Sequence, residues 1–372
     1  MSKNAFIILI LLIVSLVVIS KVNSSRYSNS FKKESTKLLD FSIEAVKEIK
    51  LSNKDKQVIL KEESLGKWLC QTNDGYKANG SVISSILLKL AELSSSQPVT
   101  SNPNNFSFFN LTEDMQTSIL LNDKDSKLIA RLDIGKERTN AASENLNAKP
   151  GLYVKTSNNM VYLISDKIDF STENKDWLDK EILKIDEAEI QKISLLTTEP
   201  LLSLVPQKDN KEQKFKIEGI KECDKSKDWA VSQITSCLTD LKLAEVFSSN
   251  SAVVTGLTYK PLIKLETSKE IYNFSGCDKE GKFYLKITSE LNPLNPEKDP
   301  AKLQEITNTI NNENAKFSNW VYLLESWDAG NLNKTYADLA EAPDNKNTSD
   351  QSQQPNGQEA SLPVTQQENP QA

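Results

Sequence analysis

The chain has 372 residues, 38% of them hydrophobic, which suits two globular units with real cores. Its 45 basic and 51 acidic residues leave a net charge of −6, a mixed balance that argues against a nucleic-acid binder with a basic, aromatic-laced face. There is no histidine. That excludes Ser-His-Asp and Cys-His triads and histidine-containing zinc sites, and leaves Lys-assisted serine, paired-carboxylate and Ca²⁺ chemistry open.

The chain opens with a nearly unbroken apolar run, Ala5 to Ile19, preceded by Lys3 and followed by Ser20-Lys21. We read residues 1–22 as an uncleaved signal anchor, a transmembrane helix meeting the membrane through residues 5–20. No cysteine follows the run, so a lipoprotein anchor is excluded. Lys21, Arg26, Lys32 and Lys33 on the C-terminal flank would by themselves favour a cytoplasmic body. A very short charged tail before a single apolar run is the ordinary design for export. The expected location is therefore the bacterial inner membrane, single pass, with the bulk of the chain extracytoplasmic.

A polar tether spans residues 23–38, and a first α+β unit occupies 39–186. Ala45–Leu51 and Gln57–Leu60 read as strands, followed by Lys67-Trp68-Leu69-Cys70. Val82, Ile83, Ile86, Leu87, Leu90 and Leu93 recur at helical spacing, with Ser81 as the expected N-cap. After a Ser, Asn and Pro-rich loop come strands at Thr117–Leu121, Lys127–Ile134, Leu152–Lys155 and Met160–Ile164. A short helix is predicted over Asp176–Leu183.

The second unit, 187–338, repeats the plan. Ile190–Leu196, Leu201–Val205 and Lys214–Ile217 are strands, and Trp229, Val231, Ile234, Leu238 and Leu241 form the helix stripe. Leu262–Leu265, Glu270–Phe274, Phe283–Ile287 and Trp320–Leu324 follow as strands, with an insertion at Asn292–Ala315 before the last. The echo is visible in the letters. Tyr153-Val154-Lys155 and Val161-Tyr162-Leu163 return as Tyr284-Leu285-Lys286 and Val321-Tyr322-Leu323, and Asn110-Leu111-Thr112 returns as Gly256-Leu257-Thr258. The expected fold is α+β: two tandem degenerate repeats, each a mostly antiparallel sheet with a helix packed on one face. Residues 339–372, rich in Gln, Asn, Ser and Pro, read as a disordered tail.

The order of these features resembles domain-of-unknown-function family 4340. The residues that carry the likeness are Lys67-Trp68-Leu69, the helix after it, Leu132-Asp133-Ile134-Gly135-Lys136, and Leu152-Tyr153-Val154 with Val161-Tyr162-Leu163. The likeness covers Phe41 to Leu183 and, more weakly, the second unit to Leu324. The family's Tyr-Gly-Leu corner is Phe109-Asn110-Leu111 here, and its following proline survives only as Pro261. The resemblance implies a bacterial membrane-anchored envelope protein encoded beside ABC transporters of the gliding-motility type. It supplies no catalytic residues.

Three clusters are candidate sites. Asp133 beside Gly135 is read as a strand ending in a turn, and Asn122-Asp123-Lys124-Asp125 as a hairpin turn lacking the later ligands of a Ca²⁺ loop. Trp68, Tyr153, Tyr162, Trp229, Tyr284 and Tyr322 are read as core aromatics, with any ligand placed in a cleft between the units. Cys70, Cys223, Cys237 and Cys277 contain no CxxC pair, which argues against a Cys₄ metal site. The spacing selects no disulfide partners, and Cys237 reads as a small buried hydrophobe. No catalytic, cofactor-binding or metal residue is assigned and no cofactor is expected. The expected function is a non-enzymatic binding or scaffold module accessory to an ABC-type transport system. A periplasmic small-molecule or glycan-binding protein with its ligand between the units is the second reading. An envelope hydrolase using Ser–Lys or paired carboxylates is the third.

Overall fold

The computed structural model describes residues 35–95, 97–139, 150–168, 170–207 and 214–342. The predicted anchor, the tether up to residue 34 and residues 343–372 of the predicted tail lie outside the described residues; the tail's start at residue 339 is corrected, since Leu339 is buried and Ala340–Glu341 pairs with Lys225–Ser226. Among those described, no helix is long and apolar enough to cross a membrane.

The first sheet starts from two alternating segments, β1 (Glu48–Ser52) and β2 (Gln57–Ser64). Ile49 and Leu51 of one and Val58 and Leu60 of the other turn fully inward, as period-two alternation requires. Asn53 closes the turn between them by accepting from the backbone of Asp55 and Lys56. Next come β3 (Lys67–Cys70), β4 (Tyr76–Lys77), helix α1 (Gly80–Glu92) and β5 (Pro98–Thr100). The strands β6 (Thr117–Asn122), β7 (Leu128–Arg138), β8 (Gly151–Thr156) and β9 (Val161–Ile164) complete the sheet. The nine strands lie in the order β4-β3-β2-β1-β6-β7-β8-β9-β5.

A connecting strand, β10 (Glu181–Lys184), leads to β11 (Ile190–Leu195), β12 (Leu202–Pro206), β13 (Phe215–Glu218) and helix α2 (Asp228–Thr239). Then follow β14 (Asp240–Lys242), β15 (Glu245–Ser248), β16 (Lys260–Thr267), β17 (Glu270–Lys279) and β18 (Lys282–Leu291). Helix α3 (Pro300–Ser318), β19 (Trp320–Leu324) and helix α4 (Ser326–Leu332) end the main elements. The eight-stranded second sheet runs β13-β12-β11-β16-β17-β18-β19-β15. Element for element, its connections trace the order of the first sheet from β3 to β5. Pairing in both is antiparallel, so the fold is α+β.

Several local readings are corrected. Ser81 does not cap α1; Asn79 does, accepting from Ser81 N at 3.1 Å and Val82 N at 3.2 Å. The segment Asp176–Leu183 is not a helix. One 3₁₀ turn ends at Asp176, and Glu181–Lys184 pairs as a strand with Asp240–Lys242. Leu132–Lys136 is not a strand end but the middle of β7. Trp229 leaves the apolar stripe of α2: it is 60% exposed, with the Lys334 ammonium 5.8 Å over its ring, while Ala230, Val231, Ile234, Cys237 and Leu238 are buried. The stretch read as an insertion holds α3, capped by Asp299 with Pro300 in its first turn.

One contiguous hydrophobic core takes in Ile83, Leu87 and Leu90 of α1, Ile234 and Leu238 of α2, and the inner faces of both sheets. Two smaller clusters sit apart from it. Phe106, Leu111 and Val161 form one, with Tyr153 against them; Val254, Tyr284 and Val321 form the other, with Leu257 and Tyr259. In each, a left-handed residue turns the corner, Asn110 at φ 57° and Gly256 at φ 81°. All four cysteines are free thiols, Cys70 and Cys237 buried and Cys223 exposed.

Candidate functional site

A groove of about 1420 Å³ lies between the two sheets. One wall comes from the first sheet. Trp68 on β3 and Tyr76 on β4 are brought together by a tight loop in which Asp74 and Gly75 both take positive φ. The N-terminal turn of α1 follows at once, its first amides already taken by Asn79. The other wall comes from Lys316 and Phe317 at the end of α3 and from Trp320 and Tyr322 on β19. Tyr76 and Trp320 meet edge to face, their centroids 4.9 Å apart at 88°, the geometry the ring quadrupoles favour. Asn73 Nδ2 donates to Val246 O across the same junction at 3.1 Å.

The outer edge of β4 is closed by the chain that crosses it, since Asn79 N donates to Trp177 O and Asp179 N to Lys77 O. Lys77 is engaged as well, 3.1 Å from Asp179 and donating to Glu181 O at 2.7 Å. The aromatic polar tips are different: Trp68 Nε1, Trp320 Nε1, Tyr76 OH and Tyr322 OH find no hydrogen-bond partner among the described residues. Burial raises the Tyr76 hydroxyl above the usual tyrosine range, with Tyr322 and Asp179 adding to it, and burial alone raises Tyr322. Both are neutral donors at physiological pH. A surface of aromatic rings with free polar tips suits a ligand that has apolar faces and hydrogen-bonding groups together.

The second cluster of chemical interest is internal. Asp133 on β7 lies between Ser118 on β6 and Lys155 on β8, directly opposite both in register. Its carboxylate accepts from Ser118 Oγ at 2.7 Å and Arg131 Nε at 2.9 Å, and Lys155 Nζ is 3.2 Å away. Lys155 also donates to Leu111 O and to Gln116 Oε1, and stands 4.8 Å over the Phe106 ring. Every donor of the ammonium is spent. This pins the 3₁₀ segment Pro103–Phe109 and its corner onto the outer face of the sheet. Gly135 completes the fit, since a Cβ there would stand 2.1 Å from Phe109 O. Asp133, read from sequence as a turn residue, is thus 1% exposed in a row of paired strands.

The other predicted positions separate. Asp123 does close the β6–β7 hairpin, accepting from Asp125 N and Lys127 N, while Asn122 points inward and donates to Glu48 Oε1. Trp68 and Tyr322 reach the groove, Tyr153 and Tyr284 fill the two satellite clusters, and Tyr162 packs half-buried on the main core. Burial holds the Cys237 thiol protonated, with the Asp328 charge acting in the same sense. Among the described residues no three Cys, Asp or Glu side chains converge on one point.

A family profile described as a domain of unknown function, DUF4340, matches residues 68–258, just over half of the chain. The chain belongs to domain-of-unknown-function family 4340. The DUF4340 match begins at Trp68 in the groove wall, takes in the first sheet from β3 onward, and ends at the Gly256-Leu257-Thr258 corner of the second. No curated protein and no solved structure matches the chain.

Proposed function

We propose that this DUF4340 protein is a non-catalytic binding module held at a membrane, with the groove between its sheets as the recognition surface. The groove is the observation that carries the reading. At about 1420 Å³ it exceeds the roughly 300–1,000 Å³ of ordinary small-molecule pockets, which favours an extended ligand such as a segment of a partner protein. The shared strand order of the two sheets supports a duplicated unit, and the groove then lies where the copies meet. The anchor rests on the apolar run Ala5–Ile19, and the ABC-transport partner on the family resemblance. Attachment to a bilayer would raise the effective concentration for membrane partners.

The test is in-cell crosslinking of the tagged full chain, with mass spectrometry of what copurifies. Transporter subunits are expected with the native chain, and their loss is expected when Lys67 and Lys316 at the groove are both changed to Glu. Recovery of the native chain alone would sink the partner reading. The free aromatic tips favour a glycan or small molecule as the second reading. It requires a specific ligand to raise the melting temperature, since binding only the native state stabilises it.

A further inference from the structure

Where α3 lies on the second sheet, three buried oxygens have no hydrogen-bond partner: Glu270 Oε2, Glu313 Oε2 and Ser289 Oγ. Register brings two of them together. Tyr272 on β17 stands directly opposite Ser289 on β18, and Glu270 opposite Leu291, so these side chains share one face of the sheet. That face is core where Phe274 meets Ile287 and becomes polar beneath α3. Asn314 on the helix closes the open edge of β18, accepting from Ser289 N at 2.6 Å and donating to Ser289 O, and the adjacent residue, Glu313, is near enough for its charge to act on Glu270.

The local hydrogen bonds leave a defined remainder. Tyr272 OH donates to Glu270 Oε1 at 2.5 Å, so only Oε2 is unused. Ser289 is 4% exposed, with its hydroxyl turned to the same face. The adjacent base, Lys269, ion-pairs with Glu189 at 3.5 Å. Burial raises the Glu270 carboxyl, the Tyr272 hydrogen bond opposes this, and the Glu313 charge raises it further. Two carboxylate oxygens and a hydroxyl without donors are an arrangement that folded proteins otherwise avoid.

We propose that Glu270, Glu313 and Ser289 form a binding site for a divalent cation, which fastens α3 to the sheet. Two carboxylates match a double positive charge, and the neutral hydroxyl offers a lone pair. An all-oxygen set drawn from two strands and a helix suits Ca²⁺, which tolerates irregular geometry, better than Mg²⁺, which demands an octahedron. Both glutamates are only partly buried, so water completes the shell from the open side. This goes beyond the groove and does not depend on it, although the same helix carries Lys316 and Phe317 to the groove wall.

Terbium is the probe, because Tyr272 is placed to sensitise its emission. With the full chain, saturable Tb³⁺ luminescence that Ca²⁺ displaces is expected, with affinity reduced at least tenfold by Glu313→Gln and measurably by Ser289→Ala. Saturating Ca²⁺ is expected to raise the melting temperature by roughly 3 °C or more over EDTA, a shift absent in Glu313→Gln. Should Glu313→Gln fail to fold, Ser289→Ala, which removes one neutral ligand, decides by its Tb³⁺ affinity. Emission indifferent to the substitutions, or a melting temperature equal in Ca²⁺ and EDTA, would overturn the proposal.

Discussion

Lys155 and Asp133 face one another across β7 and β8 with almost no solvent around them. Removing Lys155 leaves Asp133 one cation, Arg131, but strips Leu111 O and Gln116 Oε1 of their buried donor, and breaking a buried charged network of this kind typically costs about 3–5 kcal/mol. Lys155→Met is expected to lower stability by that amount in urea titration. The second sheet supplies the control. Lys286 also sits over a ring, 4.4 Å from the Tyr259 centroid, but Ser275 stands opposite it where Asp133 stands opposite Lys155. Lys286 is exposed, so Lys286→Met is expected to cost no more than about 1 kcal/mol. Equal losses at the two lysines would refute the burial argument.

Among the elements, α1 shows how caps are decided. Ser81 and Asn79 are both good capping types, and periodicity alone cannot choose between them. The choice falls to the residue whose backbone is still extended, Asn79 at ψ 97°. Asn79→Ala is expected to cost about 0.5–2 kcal/mol and Ser81→Ala less than about 0.5 kcal/mol, measured side by side by thermal unfolding; the reverse order would contradict the cap. The same contrast marks what sequence could convey. Strands that alternate over their own length, such as Ile49/Leu51 and Ile193/Leu195, were legible, as was the correspondence of the Asn110 and Gly256 corners, though not their left-handed backbone. Glu181–Lys184 was not, because its strand state depends on Asp240–Lys242, far along the chain. Helix α3 carried a usable signal in Asp299-Pro300, masked by a surface polar on most sides. Asp133 beside Gly135 imitates a turn; only the close approach of Phe109 O explains the glycine within a strand. The groove could be placed between the units, but its lining depended on pairings that no local pattern encodes.

For the whole molecule, the decisive feature is that one core runs through both sheets. Tyr76 against Trp320, Asn73 to Val246 and the pairing of β10 with β14 tie the halves at three further points. Unfolding is therefore expected as one cooperative calorimetric transition, with agreement between calorimetric and van't Hoff enthalpies. Two resolved transitions would show that the halves are energetically separate.

The outer strands of the two large sheets have a consequence of another kind. Among the described residues they are β4, β5, β13 and β15, none longer than four residues; β5 begins with a proline, and β4 is already covered by the crossing chain. Long bare edges are templates for runaway strand pairing between copies, and short or covered ones blunt it. Many copies presented side by side on one surface can therefore crowd together without polymerising, and two wide sheets remain compatible with a dense, dispersed population.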